Sequence, residues 1–245
     1  MSEKENATDI VVPVCNRFAC TRGLLEGIYR FTSSPFHLYV IDNDSTDETA
    51  DLEKIYTRDI TVVHNRKDAG WGGAVNQGVA LGDSPNIAIL HGGVEVSKGW
   101  LGNMVAFLDT HPRIGAVGPL SSDPGDWQYI DRVRDKVAPQ IPQFHTDDVH
   151  ERNSILQYHF PYAGILIDGT LSFACVVLKR RTVGRVGALK ETLSCREAAK
   201  DYCQRLRKEG YVLGLALDAY VERRPVEINP LFAQVPEMRG VAARL

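Results

Sequence analysis

The side chains best suited to chemistry gather in four short polar clusters: Asn16-Arg17, Asp42-Asn43-Asp44-Ser45, Asn65-Arg66 and His91-Gly92-Gly93. Each follows an apolar run of strand length. Asp42 is placed to accept hydrogen bonds from a base or a ribose, because an ionised carboxylate offers acceptor sites only. Turn and helix-cap chemistry explains Asp42 to Asp47 equally well on this segment alone. Gly70-Trp71-Gly72-Gly73 would let a backbone approach a phosphate at a helix start, although glycine-rich turns are common. No GxGxxG follows the first strand, which counts against a dinucleotide site. His91 and Glu95, four residues apart at a strand end, suit the geometry of a hard cation poorly. His145, His150 and His159 are too irregularly spaced for a metal motif and are expected on a loop surface. Trp127 and Tyr129 in the same stretch suit stacking on a sugar ring or packing a loop onto its core.

The elements that must position these clusters alternate between β-rich apolar runs and amphipathic segments, the pattern of a parallel sheet with crossover helices. Strands are predicted at Ile10 to Val14, Leu38 to Ile41, Ile60 to Val63, Ile87 to Leu90 and Ile114 to Val117, with a last one at Tyr211 to Leu217. Leu24, Leu25, Ile28 and Phe31 mark one face of a helix. Ser45-Thr46-Asp47-Glu48 reads as a capping box opening a helix with Leu52 and Ile55 inward. Further helices are predicted from about Gly73 to Leu81 and Lys98 to Asp109. Ser121 to Pro161 is the long irregular stretch, expected to be a lid, an acceptor-binding insertion or plain disorder. In a doubly wound sheet, ligands bind beyond the carboxyl ends of the strands, where the four clusters lie.

With 245 residues, 44% hydrophobic and 24% charged, the chain suits one large α/β domain better than two small ones. Residues 1–8 are polar and expected to be flexible. No apolar run reaches membrane-spanning length and no secretory leader is read, so the expected location is cytoplasmic. Cys15, Cys20, Cys175, Cys195 and Cys203 form no CxxC pair and are expected to be buried fillers rather than a zinc site or disulfide framework. A net charge of −3 removes any general electrostatic argument for nucleic acid or an acidic membrane. The balance is −5 over residues 1–120 and +2 over residues 121–245, a mild basic excess on the side where an acceptor or diphosphate would sit.

Val11-Val12-Pro13-Val14-Cys15-Asn16, then Val40 to Asp47, then Asn65-Arg66-Lys67-Asp68-Ala69-Gly70-Trp71-Gly72-Gly73-Ala74-Val75-Asn76-Gln77-Gly78, resemble the successive motifs of family 2 glycosyltransferases with the GT-A fold. The order and spacing match through Gly99-Trp100-Leu101 and Ile114 to Pro119. Phe173 to Arg181 resembles the strand and arginine turn before the family's acceptor helix, and Asp201 to Tyr211 the end of that helix. The resemblance implies an α/β, GT-A-like doubly wound, mostly parallel sheet: one domain over 9–245, its nucleotide-sugar half at 9–120 and its acceptor half at 121–245. It also implies a nucleoside-diphosphate sugar as donor and an acceptor of unknown kind. Val14, Asn16, Asp42, Arg66 and Asn76 would line the nucleoside and sugar pocket; Asp44, His91 and Gly92 join them as expected substrate-binding residues.

Departures from the family pattern fall on the catalytic positions. The metal-binding aspartate that usually ends the fourth strand is replaced by Gly93, which makes a divalent metal (Mn or Mg) doubtful as a cofactor, and no metal ligand is assigned. The family's Glu-Asp pair, whose aspartate is the usual base, aligns with Ala198-Ala199. A histidine near the last strand aligns with Arg223. Glu197, Asp201 and Glu191 are the candidate substitute bases. Against them, Ser194-Cys195-Arg196-Glu197 is a capping-box pattern and Asp201 with Arg205 an i,i+4 ion pair. Two readings follow. In one, the chain transfers sugar without a metal, Arg223 or Arg224 stabilising the diphosphate. In the other, catalysis is gone and the chain is a nucleotide-sugar sensor or scaffold, acting as a homo-oligomer or beside an active homologue.

Overall fold

A computed structural model describes residues 7–223 of the protein. One nine-stranded sheet runs through both halves of the chain. Its strands are β1 (Thr8–Val14), β2 (Phe36–Asn43), β3 (Ile60–Asn65), β4 (Asn86–Leu90), β5 (Val94–Val96), β6 (Ile114–Ser121), β7 (Gly164–Ile167), β8 (Cys175–Lys179) and β9 (Val212–Arg223). The order is β3-β2-β1-β4-β8-β6-β9-β5, with β7 also on β9. β1 to β4 are mutually parallel, β8 turns antiparallel between β4 and β6, and β9 returns parallel to β6. The helices are α1 (Phe18–Phe31), α2 (Leu52–Ile55), α3 (Gly70–Leu81), α4 (Trp100–Asp109), α5 (Ile130–Lys136), α6 (Val149–His159), α7 (Arg180–Val186) and α8 (Cys195–Lys208).

Both faces of the sheet are covered because its strands are apolar at successive positions. In β1, Ile10, Val12 and Val14 enter one core with Leu24, Leu25 and Ile28 of α1, while Val11 enters the other with Val75 of α3. This is the two-sided burial a parallel sheet requires, and each fully covered aliphatic side chain contributes about 1.5–3 kcal/mol. Gly78 lets α3 lie against β1, since a Cβ there would come within 2.4 Å of Val11. Among the described residues no helix is long and apolar enough to cross a membrane.

Several expectations are corrected. Thr8 is not flexible: it opens β1, is fully buried, and donates its N–H to Pro35 O at 3.1 Å. Asp47, not Ser45, caps the segment after β2, a 3-10 turn over Glu48–Asp51 precedes the single-turn α2, and Ile55 is exposed. Ser45 is committed elsewhere, accepting from Asn16 N at 2.7 Å. The stretch from Ser121 to Pro161 is not irregular, because α5 and α6 lie within it. Asp148 supplies the α6 cap, accepting from His150 N and Glu151 N. The strand predicted to end at Leu217 continues to Arg223, where it pairs with β5. Of the cysteines, only Cys175 and Cys203 are buried.

Candidate functional site

At the carboxyl ends of β1, β2 and β4 lies a cavity of about 280 Å³, lined by Val14, Asn16, Arg17, Asn43, Trp71 and the turn from His91 to Gly93, among others. The β1–α1 turn forms its floor. Asn16 and Arg17 both have left-handed backbones, with φ of 57° and 63°, a conformation that costs a non-glycine residue about 1 kcal/mol or more. The β2 loop holds them there. Asn16 N donates to Ser45, Thr46 N donates to Asn16 Oδ1 at 2.8 Å, and Asp47 accepts the first helical N–H, Phe18, at 3.0 Å. Arg17 offers no side-chain cap to α1, so Asp47 supplies it from across the loop. Although partial burial raises the Asp47 pKa, hydrogen bonds from Thr49 and Phe18 outweigh it and the carboxyl titrates below its ordinary value.

The expected substrate residues divide. Val14, Asn16, His91 and Gly92 line this cavity; Asp42, Asp44, Arg66 and Asn76 do not. Asp42 is buried, and its oxygens accept from Ser45 N at 3.1 Å and face His64 Nδ1 at 2.9 Å. The bond to Asp42 raises the His64 pKa, with Glu53 at its other ring nitrogen adding to this. Asp44 is exposed with φ 64°, and Arg66 is exposed beyond β3. Asn76 joins α3 to the segment before α8: its amide donates to Leu189 O and accepts from Leu189 N, both at 2.9 Å. Asn43, passed over in the sequence in favour of Asp42, reaches the cavity instead and donates to Asp68 Oδ1 at 2.9 Å. The glycines after it serve the fold: a Cβ on Gly72 would meet Lys190 O at 2.7 Å, and one on Gly70 would meet Glu191 O at 2.9 Å.

A second cavity, about 450 Å³, opens on the other side of His91. It is lined by Asp123, Asp126, Arg132, Arg196, Lys200 and Arg223 with Trp127, Phe173 and Ala199. Arg223 reaches it because β9 pairs with β5, placing Arg223 opposite Val94, one residue beyond Gly93. Its N–H donates to Ser122 Oγ at 2.8 Å, and its Nε stands 3.9 Å from Asp123. Burial, then Arg223, then Arg17 push the His91 pKa down to about 4, so the imidazole between the cavities is neutral at physiological pH. Trp127 packs on Gly169, where a Cβ would come within 2.3 Å of the indole. Arg224 lies outside the described residues.

Comparison with known proteins agrees with this architecture. The sequence profile of Glycosyl transferase family 2 matches residues 9–168. The chain belongs to that family. A PGL/p-HBAD biosynthesis glycosyltransferase of Mycobacterium tuberculosis is 35% identical over 75 residues, 29% of this chain and 29% of that protein. A mannosyltransferase from Pyrobaculum calidifontis, solved with GDP-Man and Mn2+, superposes at TM-score 0.63 with 16% identity, covering 91% of this chain and 58% of its own. S. aureus TarS, solved with UDP-GlcNAc, superposes at TM-score 0.60 with 14% identity, covering 90% and 60%. The chain therefore spans less than two thirds of these solved structures and under a third of that curated relative. The fold they share with it is the GT-A sheet.

The positions at which the sequence was expected to depart from the family pattern have definite surroundings. At the β4–β5 turn Gly93 carries no side chain, and its N–H donates to His91 Nδ1 at 3.3 Å. Among the described residues no group of three or more His, Cys, Asp or Glu side chains gathers closely enough to hold a metal ion. Ala198 and Ala199, expected at the family's acidic pair, are buried in the α8 packing. Glu197 closes the capping box, accepting from Ser194 N at 3.0 Å. Asp201 is held by Arg205 at 2.8 Å and Lys190 at 2.5 Å. Glu191 lies beside α3, with Asn76 Nδ2 at 3.4 Å. None of these three lines either cavity.

Proposed function

We propose that the chain is a glycosyltransferase that moves a sugar from a nucleoside-diphosphate sugar to an acceptor without a divalent cation. Arg223 and Arg17 would hold the diphosphate in the metal's place. The observation that carries this reading is the β5–β9 ladder, which sets the Arg223 guanidinium beside the turn where the family's metal-binding carboxylate is missing. Arg17 approaches the same turn from the other side, and both cations act on His91. Two guanidiniums supply fixed positive charge to the departing phosphate, the electrostatic demand a metal otherwise meets. A neutral His91 between the cavities is free to hydrogen-bond a sugar hydroxyl without adding charge. The donor would occupy the first cavity and the acceptor the second. UDP and GDP sugars are the donors to try, since solved relatives of this fold carry UDP-GlcNAc and GDP-Man. A reducing cytosol, where five unpaired cysteines persist, is the proposed setting.

The buried Ala198-Ala199 pair favours a second reading, a binding protein without turnover, because the family's base is absent from its own position. Titration of UDP and GDP by calorimetry, in EDTA and in manganese, tests the first. Equal affinities are expected. A gain of tenfold or more with manganese, about 1.4 kcal/mol, would show coordination by other groups and end the metal-free reading. Binding of a donor sugar with no release of nucleoside diphosphate would leave the non-catalytic reading.

A further inference from the structure

We propose that Asp126 is the general base that takes the proton from the acceptor hydroxyl, replacing the carboxylate lost at Ala199. The inference rests on the glycosyl-transfer reading above and adds the residue that completes it. Ala199 lines the second cavity, so the wall from which the family's base would act presents a methyl group. Asp126 lines the same cavity, from the loop between β6 and α5.

The backbone of that loop is tightly held. Asp126 N donates to Asp123 O at 3.0 Å, and the Arg132 guanidinium donates to Asp126 O and, at 2.8 Å, to Pro124 O. The side chain is held less fully, by a hydrogen bond from Ser172. Its other oxygen, Asp126 Oδ2, is buried without a hydrogen-bond partner, a state that costs stability. Among the described residues one other carboxylate oxygen shares that condition, Asp218 Oδ1 in β9, and Asp218 lines neither cavity. Asp123, the second acid of the cavity, is committed: Oδ1 accepts from Gly125 N at 2.8 Å and Oδ2 faces Arg223. A hydroxyl entering the cavity is the donor that Asp126 Oδ2 lacks.

The surroundings suit a base. Burial and then Asp123 raise the Asp126 pKa, with Ser172, Arg223 and Arg196 pulling it back. Arg132, Lys200, the neutral His91 and the Cys195 thiol, its pKa pushed up chiefly by burial, complete the ring of titratable groups around it. A carboxylate made more basic in this way is a better proton acceptor near neutrality. In the transfer step the acceptor oxygen bonds to the anomeric carbon and its proton passes to Asp126. The bond from that carbon to the diphosphate oxygen breaks, and its electron pair leaves on the nucleoside diphosphate between Arg17 and Arg223.

The test uses GDP-mannose and UDP-N-acetylglucosamine as donors and water as acceptor, following release of nucleoside diphosphate by the full chain. Asp126→Asn is expected to lower turnover by about 10²–10⁴-fold while the donor dissociation constant, by calorimetry, stays within about twofold. Wild-type turnover should fall on the acid side of the pH profile, and that limb should vanish in Asp126→Asn. A variant that keeps more than about a tenth of wild-type turnover overturns the base assignment and leaves glycosyl transfer standing. Wild-type rates with no acid limb down to roughly pH 4, the ordinary carboxylate range, overturn it as well, however the variant folds. Donor binding with no wild-type turnover overturns both.

Discussion

The two cavities on either side of His91 are built in opposite ways. Around the first, polar groups are already bonded to one another: Asn16 to Ser45 and Thr46, and Asn43 to Asp68. Around the second, Arg132, Arg196, Lys200 and Arg223 face two carboxylates, one of which has an oxygen without a partner. The first is a rigid recess whose geometry is set before any ligand arrives. The second holds unbalanced charge and unsatisfied hydrogen-bonding capacity, the condition in which a ligand gains most from binding. On the proposed reading, donor recognition falls in the parallel half of the sheet and charge stabilisation in the mixed half.

Apart from the loss of turnover expected for Asp126→Asn, the largest effect should come from cutting the tie between the two halves. Asp9 in β1 is almost wholly buried and meets Arg180, at the start of α7, at 2.5 Å, with Ser84 N and Oγ at 3.0 and 2.7 Å. Asp9→Ala should destabilise by about 3 kcal/mol, because it strands a largely covered guanidinium. Urea unfolding followed by both fluorescence and circular dichroism should remain one transition, since a single sheet spans both halves. Two separated transitions would show that the halves are independent.

The junction itself should respond next. By NMR, His91 is expected to titrate at about 4, and Arg223→Ala should move it upward by removing one of its two cationic neighbours. For a histidine whose pKa is lowered on folding, the stabilisation is present above its ordinary value of about 6.5 and is lost as pH falls towards the folded value. At most about 3 kcal/mol should disappear over that interval. A His91 pKa unmoved in Arg223→Ala would separate the two residues and weaken the case for a shared site.

The smallest effect is expected at Glu197. It closes the α8 capping box, so Glu197→Gln should cost under about 1 kcal/mol and leave turnover within about twofold. A hundredfold loss of turnover would return Glu197 to the chemistry and displace Asp126.

Much of the first half was legible in the sequence because its signals are local. β-branched runs bounded by Asn, Asp and Gly marked β1 to β4; of the polar residues after them, Asn16, Arg17, Asn43 and His91 line the cavity, and Asp44, Asn65 and Arg66 do not. Choosing Asp42 over Asn43 could not be settled that way, because His64, which engages Asp42, arrives through β-sheet register rather than sequence proximity. The glycines at 70–73 suggested a backbone approach to phosphate; what Gly70 and Gly72 meet in the structure is Lys190–Glu191, more than a hundred residues away. Helices α5 and α6 were missed because their apolar faces are short, α5 having Ile130 and Val133 buried and α6 only Val149 and Leu156 among its apolar residues. Asp126 carried no motif at all. What distinguishes it is an unpartnered oxygen in a shared cavity, a property of packing that only the assembled chain displays.

On the proposed reading, the Arg223 guanidinium at the end of β9 takes the place of a metal ion at the diphosphate. Calorimetric titration of Arg223→Ala with UDP and with uridine, both in EDTA, addresses it most directly. The expected result is a loss of about 1.5–3 kcal/mol for the diphosphate, the worth of a hydrogen bond to a charged group, with uridine unchanged because it presents no charge to the site. Equal losses for both ligands, or no loss for UDP, would contradict the assignment of Arg223 to the diphosphate.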